Sequence, residues 1–517
     1  QNGSTDTHDA GNPNQEEAFS SIPLYDRRTG AENHINVASH AVLTGDTVLI
    51  DNIDRDQRFD FSNECRFNEL SETECVSFLG VPLKTRQDKT MGVLQLFNAR
   101  MPDTEAIIPF EGESVRFVEA LAAQAAIALN NQQLLEAQRN LFNALIQMLA
   151  GAIDAKSPYT GGHCARVPEV AVMLAEAASN ANTESLADYR LDSEDAWREF
   201  RVAAWLHDCG KVTTPEYVVD KATKLETIYN RIHDIRTRFE ILWRDAEIDY
   251  FRKCLNGTVE HEWIRQAFAF VAECNVGGEF MPGEKIEQLE EIARRKWVRH
   301  LDDRLGLSHE ETARMAVEPQ EALPVEENLL ADKPVHVIPR SMANPFGDNP
   351  HGFKMDVPEH LYNHGELYNL SIRKGTLTAE ERFKINEHIT QTIIMLNQLP
   401  FPAYLKQVPE FAGAHHETMI GTGYPKRLRR EDMTISARIM AIADIFEALT
   451  AADRPYKKAK TLNEVLRIMS FMRNDQHLDA ELFDLFLESG VFRHYAENFL
   501  EPGQIDDVDI RKYLKSA

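Results

Sequence analysis

The chain has 517 residues, of which 43% are hydrophobic and 27% charged. That balance excludes global disorder, collagen and a coiled-coil-only molecule. Acidic residues number 82 and basic residues 56, a formal net charge of −26, so no DNA or RNA binding is expected, since it feeds on Lys and Arg neutralising phosphates.

At roughly 150 residues per domain the length suggests about three units, or two with a large insertion. No stretch reaches the roughly 18 to 20 apolar residues of a membrane span. Cys65, Cys75, Cys164, Cys209, Cys254 and Cys274 show no CxxC spacing. Scattered thiols suit a reducing compartment, and a cytoplasmic location is expected. The chain opens at Gln1 with no signal-peptide pattern. A membrane segment ahead of it is left open.

Residues 1–20, rich in Gly, Asn, Asp, Gln and Ser, read as a flexible N-terminus. Short apolar runs with turn signals follow. "TVLI" at 47–50, "FLGVPLK" at 78–84 and "GVLQLFN" at 92–98 predict strands. Phe117, Val118, Leu121, Ala125 and Ala128 then recur at helical spacing. The pattern runs on through Leu135, Phe142, Leu145 and Leu149 as one long connector, with Pro158 at its end. The stretch "ASHAVLTGDTVLIDNIDRDQRFD" and the later "LGVPLK…MGVLQLFNA" resemble a GAF domain. The resemblance implies an α+β module over 21–135 that senses a small molecule or mediates dimerisation, followed by a connector helix over 136–156. The family's opening helix and first strand find no counterpart, so the module reads as N-terminally truncated. No cyclic-nucleotide signature names its ligand. Cys65 and Cys75 read as unpaired thiols.

From 157 to 217 and from 366 to 515 the chain reads as helix after helix, an all-α domain over 157–517. Between them, at about 220–365, lies an insertion. It opens with charged amphipathic helices, "LETIYNRIHDIRTRFEILWRDAEIDYFRK" and "KIEQLEEIARRKWVRHLDDRLG". It closes with the irregular "ADKPVHVIPRSMANPFGDNPHGF", expected to lie over the surface.

Five segments carry chemistry: "YTGGHCARV" with His163, "AAWLHDCGKV" with His207, Asp208 and Lys211, "RKGTLTAEERFKINEHI" with His388, "GAHHETMIGTGYP" with His415 and His416, and "RIMAIADIFEALTAADRPYKK" with Asp444. One His-Asp pair alone reads as a capping Asp beside a half-buried His. Five apolar-flanked segments point elsewhere. Imidazole and carboxylate together suit Fe, Mn or Zn, and a carboxylate can bridge two metals. These five His and two Asp are too few to saturate two octahedral ions, which leaves positions for water and substrate oxygens.

In this order the segments resemble the HD-GYP phosphohydrolases, a bacterial branch of the HD superfamily that hydrolyses cyclic di-GMP. The likeness covers about 157–217 and 366–460. The HDxGK segment alone would say only HD phosphohydrolase. His415, His416, Glu417, Gly421, Gly423, Tyr424 and Pro425, as HHExxxGxGYP, narrow it to this branch. The resemblance implies two divalent ions, iron or manganese, on His163, His207, Asp208, His388, His415, His416 and Asp444, with Asp208 bridging. Such a centre makes hydroxide available near neutral pH for in-line attack on phosphorus. Lys211 would put positive charge on the phosphate or act on the water side. Arg454 and Lys457 are candidate phosphate clamps or solvated charges. Gly421 and Gly423 would let the loop approach the ligand, and Tyr424 would stack on a guanine.

Some relatives hold a third metal with a Glu four residues before the first ligand His. That position is Tyr159 here, so two metals are expected. His233 competes with His388 for the third-ligand helix, and the segment around His388 fits better. The expected function is a cyclic di-GMP phosphodiesterase giving pGpG, GMP or both, regulated by the GAF module in a homodimer. The alternatives are the same chemistry on 3′,3′-cyclic GMP-AMP and a catalytically inactive cyclic-dinucleotide receptor.

Overall fold

The computed structural model describes residues 22–26, 28–61, 75–101, 104, 106–156, 162–181, 183, 185–252, 261–278, 280–341, 345–451 and 459–514. It divides into two compact units, Gln1–Phe142 and Asn143–Ala517. No described helix is long and apolar enough to cross a membrane.

In the first unit, β1 (Val48–Ile50), β2 (Phe78–Lys84) and β3 (Thr90–Phe97) form an antiparallel sheet in the order β1-β2-β3. Val48 faces Gly80 and Phe78 faces Phe97, and β4 (Ala99–Arg100) pairs antiparallel with β5 (Ile107–Ile108). The central strand β2 is buried on both faces, which explains its unbroken apolar run. Phe78 packs with Val37 and Ala41 of α1 (Val37–Thr44), whereas Leu79 and Val81 pack with Val118 and Ala122 of α2 (Gly112–Asp154). Asn36 caps α1 by accepting from Ser39 N–H at 3.0 Å. The apolar repeat from Phe117 to Leu149 forms one continuous helix of 43 residues.

The second unit is helical. Around its centre lie α3 (His163–Asn180), α4 (Glu194–Leu206), α8 (Ala379–Gln398), α9 (Val408–Gly413) and α10 (Ile435–Thr450). The helix α10 is apolar on nearly every side, as a helix enclosed by others must be. Thr378 and Glu381 form a capping box at the start of α8, each satisfying a backbone N–H of the first turn.

The insertion has its own core, in which α5 (Ile232–Arg252), α6 (His261–Val276) and α7 (Gly283–Ala293) pack through Ile235, Phe239, Val271 and Leu289. Two details differ from the sequence reading. The helical pattern stops at Ala293, and Lys296–Arg299 is instead a strand, β6, antiparallel to β7 (Val325–Asn328). Arg299 Nε donates to Glu327 Oε1 at 2.7 Å across this pair, so a charged run with helical character finds its partners in a hairpin. The tail, expected over the surface, forms β8 (Val337–Pro339) and β9 (His360–Asn363) and buries Phe353.

Candidate metal centre

The site is assembled from the ends of helices. His207 and Asp208 close α4, where the chain tightens into a 3₁₀ turn, Cys209–Thr213. Gly210 permits this turn to lie against α8. A Cβ there would stand 1.8 Å from His388 O and 2.6 Å from Thr392 N. Instead Gly210 N–H donates to Thr392 Oγ1 at 2.9 Å. His163 opens α3, His388 lies mid-α8, His415 and His416 follow α9, and Asp444 lies on α10.

All seven side chains named from the motifs come together, in two groups able to hold a metal ion. One is His388, His415 and His416, and the other is His163, His207, Asp208 and Asp444. Within each group one ligand atom per residue lies within 4.8 Å of the others. Asp208 spans the groups: its Oδ1 is 3.2 Å from His388 Nε2, and its Oδ2 is 3.3 Å from both His163 Nε2 and His207 Nε2. His163 Nε2 also lies 3.2 Å from Asp444 Oδ1.

The imidazoles are aimed by hydrogen bonds on their far side. With Nδ1 carrying the proton, His207 donates to Ala204 O at 2.8 Å, His388 to Ile385 O at 2.5 Å and His415 to Ala412 O at 2.6 Å. Each bond reaches back three residues. Ala204 and Ala412 lie in the last turns of their helices, where carbonyls lack a helical partner, whereas Ile385 lies inside α8. The tautomer so chosen turns a bare Nε2 toward the centre. His163 Nδ1 is bound by Glu447, whose other oxygen accepts from Arg166 Nε at 2.6 Å.

A fit to cations shows in what these atoms lack. His207 Nε2, His415 Nε2 and Asp208 Oδ1 are buried without a hydrogen bond, a costly state for a polar atom unless a cation meets it. The charge states agree. Burial pushes His415 down to about 4, with His207 adding to the effect, and pushes His416 well below the usual imidazole range, helped by His415 and His388. Burial works against ionised Asp208, yet Lys211 and His207 hold its carboxyl well below the usual range. Asp444 is lowered likewise, His163 overcoming burial. Neutral His415 and His416 beside ionised carboxylates are the forms that bind metal. His163 differs, since against burial Asp208, Asp444 and Glu447 raise its imidazole well above the usual range, and a metal ion would have to displace that proton.

Lys211 pairs with Asp208, and its own ammonium is raised by Asp208 and Asp444 against the cost of burial. It lines a cavity of about 200 Å³ over the centre, together with Arg166, His388, Tyr424 and Asp444. Tyr424 stacks on His416, ring centres 4.8 Å apart and planes 22° apart. Gly423 carries a further constraint beside its expected role. A Cβ there would meet Glu417 Cα at 2.5 Å and His416 O at 2.6 Å, so the loop's own backbone demands the glycine.

Arg454, Lys457, Tyr159, Cys65 and Cys254 lie outside the described residues. Cys164, Cys209 and Cys274 are free buried thiols, and Cys75 is buried. His233 stays away from the centre and faces Arg236 at 2.9 Å. Sequence reasoning missed Glu447 and Arg166. The signal available was spacing, since each stands three residues beyond a motif residue on a helix and so shares its face.

Comparison with known proteins bears on both units. Residues 6–129 match the GAF domain family and residues 324–482 match the HD domain family. The chain thus carries a GAF domain followed by a helical HD domain. The HD match includes His388, His415, His416 and Asp444, while His163, His207 and Asp208 join them through the fold. A 3'3'-cGAMP-specific phosphodiesterase 1 of Vibrio cholerae is 38% identical over 136 residues, 26% of this chain and 28% of the relative. A cyclic di-GMP phosphodiesterase of Pseudomonas aeruginosa is 31% identical over 156 residues, 30% of this chain and 34% of the relative. Another, of Thermotoga maritima, is 38% identical over 117 residues, 23% of this chain and 31% of the relative. The chain therefore spans about a third of the length of these relatives.

Proposed function

We propose that this chain is a metal-dependent phosphodiesterase that hydrolyses cyclic di-GMP to pGpG, GMP or both. One observation carries the reading: the Asp208 carboxylate has one oxygen in each of two donor groups. A carboxylate in that position suits a bridge between two divalent ions, and the imidazole-rich set suits iron or manganese. The ligands would be His163, His207, Asp208, His388, His415, His416 and Asp444. Two such ions supply Lewis acidity toward a phosphodiester and toward a water molecule.

The chain's own residues supply orientation and charge. The carbonyls of Ala204, Ile385 and Ala412 keep three imidazoles aimed. Lys211, about a quarter exposed at the cavity, sets positive charge beside a non-bridging phosphate oxygen. Arg166 extends that positive wall. Tyr424 is held by His416 on one ring face. Arg454 and Lys457 are kept as proposed phosphate contacts.

The reading extends to the whole chain, with a sensor over 21–135, a connector over 136–156 and a catalytic domain over 157–517. A small molecule on the GAF domain would regulate it. Leu121, Leu135 and Leu149 are exposed on α2 at multiples of seven, and Leu134, Leu141 and Met148 run beside them. This stripe supports a parallel homodimer through the helix, and a cytoplasmic location accompanies it. A second reading, hydrolysis of 3′,3′-cyclic GMP-AMP, is supported by the match to the cGAMP-specific relative, which runs over 136 residues against 117 at the same 38% identity for the cyclic di-GMP phosphodiesterase of Thermotoga maritima.

The test is product chromatography after iron- or manganese-loaded protein meets an equal mixture of the two dinucleotides. Selective loss of cyclic di-GMP is expected. Selective loss of the other moves the assignment to the second reading. Survival of both, with bound metal verified, sinks the hydrolase reading.

A further inference from the structure

Beside the candidate centre lies a second cavity, of about 500 Å³, that the five motifs leave unexplained. Helix α8 lines it with Arg382 and Phe383, and the loop after His416 lines it with Tyr424 and Arg427. The remaining wall, residues 355–358, comes from the tail of the insertion. Tyr424 borders both this cavity and the one over the centre.

The tail is anchored to the residues that shape the site. Lys354 N–H donates to Pro425 O at 2.7 Å. Arg340 Nε donates to Pro358 O at 2.8 Å, and its guanidinium lies 4.7 Å from the centre of the Phe383 ring. Asp356, on this wall, pairs with Arg427 at 2.6 Å while its side chain stays 94% exposed. Arg382 is exposed and makes no ion pair with a described residue. A chain of net charge −26 thus presents two guanidinium groups and one carboxylate around a space flanked by two aromatic rings.

We infer that this cavity holds a guanine base of the substrate and that the insertion's tail is the wall that reads it. The inference rests on the cyclic-dinucleotide reading above. The volume falls within the roughly 300–1,000 Å³ of small-ligand pockets. Phe383 and Tyr424 offer apolar surface to a flat ring. Guanine presents O6 and N7 as paired acceptors, the pattern that a guanidinium matches with two hydrogen bonds. Its opposite edge presents N1–H and an amino group, both donors, which a carboxylate accepts. Arg382 is assigned to the first edge and Asp356 to the second. Adenine keeps N7 but carries an amino donor in place of O6 and lacks both N1–H and the 2-amino group, so it makes neither paired contact.

The experiment measures binding of hydrolysis-resistant bisphosphorothioate analogues of cyclic di-GMP and cyclic di-AMP to the full chain, by calorimetry. Tighter binding of the guanine analogue is expected. Arg382→Ala should weaken it by about tenfold or more, the range of a lost bidentate base contact, and Asp356→Asn should narrow the guanine-to-adenine ratio. Both positions are exposed, and unchanged melting temperatures would verify the fold. Equal binding of the two analogues, or affinities in both variants within twofold of the parent, overturns the inference. The two readings fail separately. Guanine-selective binding without hydrolysis overturns the phosphodiesterase, and hydrolysis indifferent to both substitutions overturns the base pocket.

Discussion

Two clusters in this chain contain histidines and carboxylate in close contact, and they are built differently. In the first unit His34 Nδ1 lies 3.1 Å from His40 Nδ1, and His34 Nε2 lies 2.9 Å from Glu32 Oε2. His34 and Glu32 are 44% and 58% exposed. There the ring nitrogens of His34 spend their hydrogen-bonding capacity on His40 and on Glu32. In the second unit Nδ1 of three histidines is given to backbone carbonyls, and Nε2 is left bare inside the protein. Residue types alone therefore do not make a metal site. The direction of the lone pairs does, and direction comes from atoms behind the ligand.

The contrast breaks most completely at Asp208. Asp208→Ala should lower the proposed phosphodiesterase turnover by about a thousandfold or more, since it removes the proposed bridge between two ions. Metal analysis of the same variant should show fewer ions per chain, and full occupancy with full turnover would refute the bridging role. Next comes the backbone contact that sets Asp208 against α8. Gly210→Ala should cost about 3 kcal/mol, because the added carbon must displace main chain rather than a side-chain tip. Denaturant unfolding measures this directly. Glu447→Ala frees the His163 ring and leaves Arg166 without its acceptor. A loss of about 10- to 100-fold in metal affinity is expected, as for other partners behind a ligand, and titration with Mn²⁺ reads it.

The exposed cluster supplies the small effects. Burial, with His34 and Arg58 nearby, lowers His40 below its usual 6.5. The folded state then binds the proton less readily than the unfolded chain. Its contribution is complete above that usual value and is lost as pH falls through the lower, folded one. Melting of the first unit should therefore drop on acidification from neutral pH, and His40→Gln should flatten the dependence. Smallest of all, His34→Ala should shift stability by less than about 0.5 kcal/mol and leave the metal content unchanged. A drop in bound metal would mean that the exposed cluster is a site after all.

Much of the fold was legible. Strands β1, β2 and β3 announced themselves as short apolar runs between turn residues, and the long helix as an apolar repeat. The choice of His388 over His233 was also legible, through the better fit of the segment "GTLTAEERFKINEHITQTIIML". Both histidines sit on helices, and only His388 comes to the centre. The strand Lys296–Arg299 was not legible, because its charged residues find their partners 28 residues later in β7. Glu447 escaped for a related reason. A glutamate on a helix is ordinarily solvated, and its burial to 1% exposure depends on α3 packing across α10.

The amino-acid sequence determined which groups could bind a cation, since few side chains carry bare nitrogen or ionised oxygen and these stand in recognisable local patterns. Tertiary structure decided how they are used. It set one oxygen of Asp208 toward each donor group, gave His207, His388 and His415 a carbonyl and His163 a carboxylate, and brought the tail of a distant insertion to the wall beside Tyr424. Those arrangements join residues from across the chain, and only packing of the helices around a common core brings such residues within a few ångströms.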